Sequence, residues 1–148
     1  MDNQGNMTIT SVNSTFYLTV PGLYDTPQKV EGYATDSAVS SENINPVVAE
    51  IGVDGKTSYG YVPTNKVLTV SLAADSKSRE MFDNWISYQD SIKEVMVCSA
   101  EFTLPAIQRK YVGMRGAITA APPMPGVSKT LQSTAYTITF ESWIPSTL

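Results

Sequence analysis

The residues able to do chemistry are few and poorly placed for it. The 148-residue chain contains no histidine and a single cysteine, Cys98. Without an imidazole it lacks the usual general base, the usual proton shuttle and the commonest metal ligand. Ser-His-Asp and Cys-His triads cannot be assembled from it. One thiol also excludes an intramolecular disulfide and any multi-cysteine zinc or iron–sulfur centre. Cys98 closes the apolar run Val95-Met96-Val97-Cys98, which predicts a buried, inert thiol rather than a nucleophile. The spacing of Gly52, Gly55 and Gly60 does not match a phosphate loop and fits a hairpin better. Glu31, Asp36, Glu50, Asp54, Glu101 and Glu141 fall in different predicted strands and turns. They read as solvated charge, not as the facing carboxylate pair of a glycosidase. Asp83 and Asp90, seven apart beside Lys93, predict a solvent-facing helix stripe. Arg109-Lys110 with Arg115 makes a small basic spot, read as surface charge or a seat for an acidic neighbouring subunit. The expectation is a protein that is not an enzyme and holds no metal or cofactor.

What these residues sit on follows from composition and period. Apolar residues are 42% and charged residues 16% of the chain, against roughly 25% charged in an average soluble domain. That balance argues against disorder and for one domain spanning residues 1–148 with a real core. The formal charge of -4, from 10 Lys+Arg and 14 Asp+Glu, disfavours tight binding to phosphates. The start, Met1-Asp2-Asn3-Gln4, has no basic head or apolar stretch of a secretion signal. Nothing approaches the roughly 18 uninterrupted apolar residues of a membrane helix, so a soluble chain made inside the cell is expected.

Period-2 alternation dominates. Phe16, Leu18 and Val20 oppose Thr15, Tyr17 and Thr19; Leu68, Val70 and Leu72 oppose Thr69 and Ser71; Tyr136, Ile138 and Phe140 oppose Thr137, Thr139 and Glu141. Strands with one buried face produce this pattern. Strands are predicted over 14–20, 66–74 and 136–141, with others over 7–12, 28–35, 47–53, 57–62, 94–104 and 110–120. Asp54-Gly55 predicts a two-residue hairpin turn, because both positions tolerate positive φ. Tyr24-Asp25-Thr26-Pro27 reads as a turn, 37–46 as an exposed loop, and the proline-rich 121–126 as a crossover. One helix is expected over about 76–93, where Met81, Phe82, Trp85, Ile86 and Ile92 form a stripe that packs on the sheet. Asp75 or Ser76 is its candidate cap. The fold expected is mainly β, an antiparallel β-sandwich or half-barrel with one flanking helix. Ser and Thr supply roughly a fifth of the chain, more than strand propensity demands. The nearly uncharged stretches 15–19 and 137–139 suggest strand edges meant for pairing with another chain.

The order of segments carries a resemblance. Phe16-Tyr17-Leu18-Thr19-Val20-Pro21-Gly22-Leu23-Tyr24 precedes Val30-Glu31-Gly32-Tyr33-Ala34-Thr35-Asp36; then come Gly52-Val53-Asp54-Gly55-Lys56, Leu72-Ala73-Ala74-Asp75-Ser76 with the Phe82/Trp85 helix, and Arg109-Lys110-Tyr111. Over about 16–143 this resembles the tail tube proteins of long-tailed, contractile bacteriophages. The resemblance implies a structural virion protein whose subunits join into hexameric rings, stacked into a hollow conduit for genome delivery. Implied partners are further copies of itself, a sheath protein, a baseplate or tail initiator and a tape-measure protein. DNA would pass through the lumen unbound. By position, 37–63 is the expected inter-ring loop and hairpin, with Val53, Asp54, Gly55, Lys56, Tyr59 and Tyr61 as contacts, and 1–13 is a flexible arm. The protein would be made in the host bacterial cytoplasm. Alternatives are another tube-like assembly protein (a type VI secretion tube or a tail terminator) and a monomeric β-sandwich binding module.

Overall fold

The computed structural model describes residues 14–31, 39–124 and 126–148. The expected strand over 7–12, the arm 1–13 and part of the loop after residue 31 lie outside the described residues. Among the described residues nine strands and one α-helix follow in order: β1 Thr15–Val20, β2 Tyr24–Lys29, β3 Val39–Ser41, β4 Val47–Ile51, β5 Thr57–Tyr61, β6 Lys66–Leu72, α1 Ser78–Ile92, β7 Cys98–Leu104, β8 Arg109–Ala120 and β9 Thr134–Thr147. Seven strands form one antiparallel sheet, ordered β2-β1-β7-β8-β9-β6-β3. The pair β4-β5 forms a separate two-stranded sheet. The protein is thus mainly β, antiparallel, with one helix.

The alternation that predicted the strands also builds the core. Phe16, Leu18 and Val20 of β1, Leu68, Val70 and Leu72 of β6, and Tyr136, Ile138 and Phe140 of β9 are all buried. Helix α1 covers this face through Met81, Phe82 and Trp85. The Phe82 ring stacks on Tyr136, centroids 4.5 Å apart and planes 13° from parallel. The Tyr136 hydroxyl, whose pKa is raised by burial and by the Asp83 charge, donates to Asp83 Oδ1 at 3.4 Å. Aromatic stacking with a polar tether fixes how the helix sits on the sheet.

The helix begins at Ser78, two residues later than expected, and Lys77, not Asp75 or Ser76, occupies its N-cap position with no side-chain cap bond. Ser76 Oγ accepts the Ser78 N–H at 3.3 Å and donates to Glu31 O at 2.5 Å, tying the first turn to the chain after β2. At the far end Lys93 turns left-handed, φ 56°, and its N–H bonds Gln89 O at 2.8 Å. Ile86 is partly buried against the core. Ile92, expected in the core, is instead 41% exposed. Burial along the stripe is complete at Phe82 and Trp85 and is lost by Ile92 in the last turn.

Several strand boundaries also differ from expectation: β3 Val39–Ser41 forms within the expected loop 37–46, and β9 extends to Thr134–Thr147. Residues 94–97 do not extend β7; they fold back beside α1. There the Met96 N–H bonds Gln89 Oε1 at 2.8 Å, and Trp85 Nε1–H bonds Met96 O at 2.9 Å. The second strand begins at Tyr24, where a turn was expected, and ends at Lys29; residues 32–35 of the strand expected over 28–35 lie outside the described residues. Its ladder pairs Leu18 with Gln28 and Val20 with Tyr24, so 25–27 bulge out opposite Thr19. Proline is tolerated there because β2 is an edge strand and Pro27 has no N–H to leave unpaired. The turn-forming residues therefore act as a bulge within an edge strand.

Candidate assembly interface

Every residue from 40 to 63 is exposed. In that run the chain still forms regular hydrogen-bonded structure. Strands β4 and β5 pair Val47 with Tyr61, Ala49 with Tyr59 and Ile51 with Thr57, and between them Val48 with Gly60 and Glu50 with Ser58. Directly paired residues share a face. One face therefore carries Val47, Ala49, Ile51, Thr57, Tyr59 and Tyr61, and the other carries Val48, Glu50, Ser58 and Gly60. The first is apolar and aromatic yet open to solvent, with Ile51 75%, Tyr59 73% and Tyr61 77% exposed. A lone two-stranded hairpin is marginal in water, and one showing an aromatic face invites a partner.

The turn is tighter than a flexible loop. The Gly52 N–H bonds Lys56 O at 2.7 Å and the Gly55 N–H bonds Gly52 O at 3.0 Å. This leaves three residues, Val53, Asp54 and Gly55, in the loop. Only Gly55 has positive φ, 85°; Asp54 does not. Asp54 instead uses Oδ1 to accept the Lys56 N–H at 3.1 Å. The two-residue turn expected from Asp54-Gly55 is thus a three-residue turn with glycine at its left-handed position. At the base, the Val62 N–H bonds Pro46 O at 2.8 Å. All six residues singled out as contacts, Val53, Asp54, Gly55, Lys56, Tyr59 and Tyr61, lie on this hairpin.

Elsewhere several of the candidate chemical groups are buried or paired. Cys98 is buried, and burial pushes its thiol up to about 12. The basic spot is divided: Lys110 pairs with Glu101 at 3.1 Å and Arg115 with Glu141 at 3.5 Å. Among the described residues no group of three or more acidic or cysteine side chains is placed to hold a metal ion. A cleft of about 480 Å³ is lined by Lys29, Glu31, Ser76, Ser78 and Met81, among others. Its hydroxyls serve the backbone, Ser78 Oγ accepting the Glu31 N–H at 2.8 Å.

The edge expectation needs correction. Residues 15–19 of β1 and 137–139 of β9 are not edges, since each strand has a neighbour on both sides at those positions. Their lack of charge follows from enclosure within the sheet. Among the described residues the edges are β2 and β3. In addition, β6 pairs with β9 only as far as Phe140. Residues 141–147 of β9 therefore have β8 on one side and no described strand on the other.

A family profile described as "Tail fiber protein gp32" matches residues 7–144. The chain belongs to that family. Solved structures show where else the fold of this gp32-family chain occurs. A chain of the sheath–tube complex of an extracellular contractile injection system, in its extended state, has a TM-score of 0.59 at 15% identity, covering 99% of this chain and 96% of that one. A chain of the anti-feeding prophage baseplate gives 0.62 at 8% identity, covering 95% and 98%. A chain of the anti-feeding prophage cap gives 0.55 at 14% identity, covering 90% and 88%. No curated protein matches the gp32-family sequence.

Proposed function

We propose that this gp32-family chain is the wall subunit of a phage tail tube, joined into hexameric rings that stack into a hollow conduit for genome delivery. The observation that carries the proposal is the exposed apolar face of the β4–β5 hairpin, standing on a fold also found in a sheath–tube complex. A monomeric binding module gains nothing from holding two tyrosines and three aliphatic side chains in water. A subunit that buries them against another copy gains the area of all five. The hairpin turn, Val53 to Lys56, reaches the next ring, and the partners are copies of the chain, a sheath protein, a baseplate initiator and a tape-measure protein. The role is structural and not enzymatic, and it needs no cofactor. A net charge of -4 suits a conduit that must not retain DNA. The protein acts in the virion tail after synthesis in the host cytoplasm.

The family description names a fibre, whereas the fold coverage favours a tube. Negative-stain microscopy of the purified protein at rising concentration separates the two. Hollow tubes or six-fold rings are the expected result; a compact monomer at high concentration, or thin solid fibres, overturns it. A second reading, a terminal ring at cap or baseplate, is favoured by the likeness to those two chains. It predicts single rings that never stack.

A further inference from the structure

The apolar hairpin face needs a receiving surface, and the same chain presents one. In α1 the stripe Met81, Trp85, Tyr88, Ile92 follows spacings of four, three and four, one face of a helix. Its first half is buried, but Tyr88 is 39% and Ile92 41% exposed. The chain then folds back beside the helix, held by Met96, and leaves Val95 and Val97 exposed on either side of that residue. Tyr88, Ile92, Val95 and Val97 are thus four exposed apolar side chains on the last turns of the helix and the segment that folds back beside it, together called the ledge. The hairpin cannot reach it within one chain. It leaves the sheet between β3 and β6 at one edge, whereas the ledge leads into β7, on the other side of β8 and β9.

From this juxtaposition we infer that the Val47/Ala49/Ile51/Tyr59/Tyr61 face of one copy docks on the Tyr88/Ile92/Val95/Val97 ledge of another copy. The occupant is a second copy because both surfaces are apolar, both are exposed in the same molecule, and the hairpin face approaches the area that a stable contact buries. The contact joins different patches, so it is heterologous and repeats from copy to copy, as rings and stacks require. Each tyrosine offers about 150–250 Å² to cover. The two on the hairpin with their aliphatic neighbours supply much of the roughly 800 Å² per partner of a stable interface. The inference rests on the tube reading for the existence of an assembly and adds which surfaces meet. It also accounts for Ile92, an apolar residue whose stripe continues past its own core.

The test uses two single-cysteine additions, Tyr59→Cys and Ile92→Cys, in otherwise native full-length chains; buried Cys98 contributes no background. The variants are mixed, allowed to assemble and treated with a short bis-maleimide. A covalent dimer is expected in the mixture and in neither variant alone. In parallel, Ile92→Asp should leave the unfolding midpoint of the monomer unchanged while lowering the assembled fraction at least ten-fold. Val127→Asp, at an exposed apolar position elsewhere, should leave both unchanged. Tubes that form without the mixed dimer, or a Tyr59→Cys chain that cross-links to itself, overturn the docking and leave the tube reading standing. A mixed dimer without tubes supports the docking and overturns the tube; neither dimer nor tubes overturns both.

Discussion

At the scale of single residues the sequence says most about what is absent and least about close packing. The missing histidine and the apolar setting of Cys98 lead directly to an inert thiol, and burial of Cys98 explains its raised pKa. Nothing in the one-dimensional pattern marks Gly113 and Gly116 as special. In the structure β8 bulges between them, with Arg115 at φ 54°, where Cys98 pairs with Gly116 and Ala100 with Gly113. The rings of Phe140 and Trp143 lie over these glycines, and a Cβ on Gly116 would collide with the Phe140 ring. Only a cross-strand register reveals that requirement, because Phe140 is 24 residues away in sequence. The consequence is testable. Gly116→Ala should destabilise the protein by about 1–3 kcal/mol, the cost of overpacking a filled core. Gly60→Ala, where nothing lies within 4 Å of the added carbon, should stay within about 0.5 kcal/mol. Urea midpoints for the two variants decide it, and equal shifts would refute the assignment of the aromatic rings.

At the scale of elements, legibility follows how local the cause is. The hairpin was readable because its turn chemistry and both strands lie within fifteen consecutive residues, Val47 to Tyr61. The loop length was not, since Asp54 can hold positive φ but here satisfies Lys56 with its carboxylate instead. The helix was readable from its stripe. Where the stripe stops being covered was not, because that depends on packing partners distant in sequence. Likewise Tyr24–Lys29 carries turn residues yet forms a strand, since an edge forgives a proline and a bulge. The hairpin lies outside the core, so its turn can be strained without unfolding the rest. Gly55 sits at φ 85° with open space around it, so Gly55→Val introduces backbone strain of about 1–2 kcal/mol and no collision. Under the proposed tube role, tube growth should fall about ten-fold, while the thermal midpoint of the free subunit hardly moves. Gly55→Asn, which tolerates the left-handed region better, should recover part of the growth. Equal losses of soluble subunit and of tubes would mean the hairpin belongs to the folding unit after all.

At the scale of the whole molecule the question is which edge a neighbour uses. Strand β2 is blunted by Pro27 and the 25–27 bulge, and β3 is only three residues long. Natural sheets use such devices to discourage edge pairing. The open side of β9 over 141–147 is different: seven residues, one of them charged, continuing a ladder that β8 already holds straight. Pro145 removes one donor there, but the remaining amides and carbonyls on that side are available for another strand. This was invisible in the sequence, where the uncharged stretches 15–19 and 137–139 pointed to strands that turn out to be interior. If rings close by sheet joining, hydrogen exchange should register it at this edge. Amides of 142–147 that do not bond β8 should slow ten-fold or more on assembly. Those of 109–115 in β8, already paired on both sides or facing β9, should not change. Protection appearing instead in β2, with 142–147 unaffected, would mean that the sheet is extended from its blunted side and that the hairpin and helix ledge, not the backbone of β9, hold neighbouring copies together.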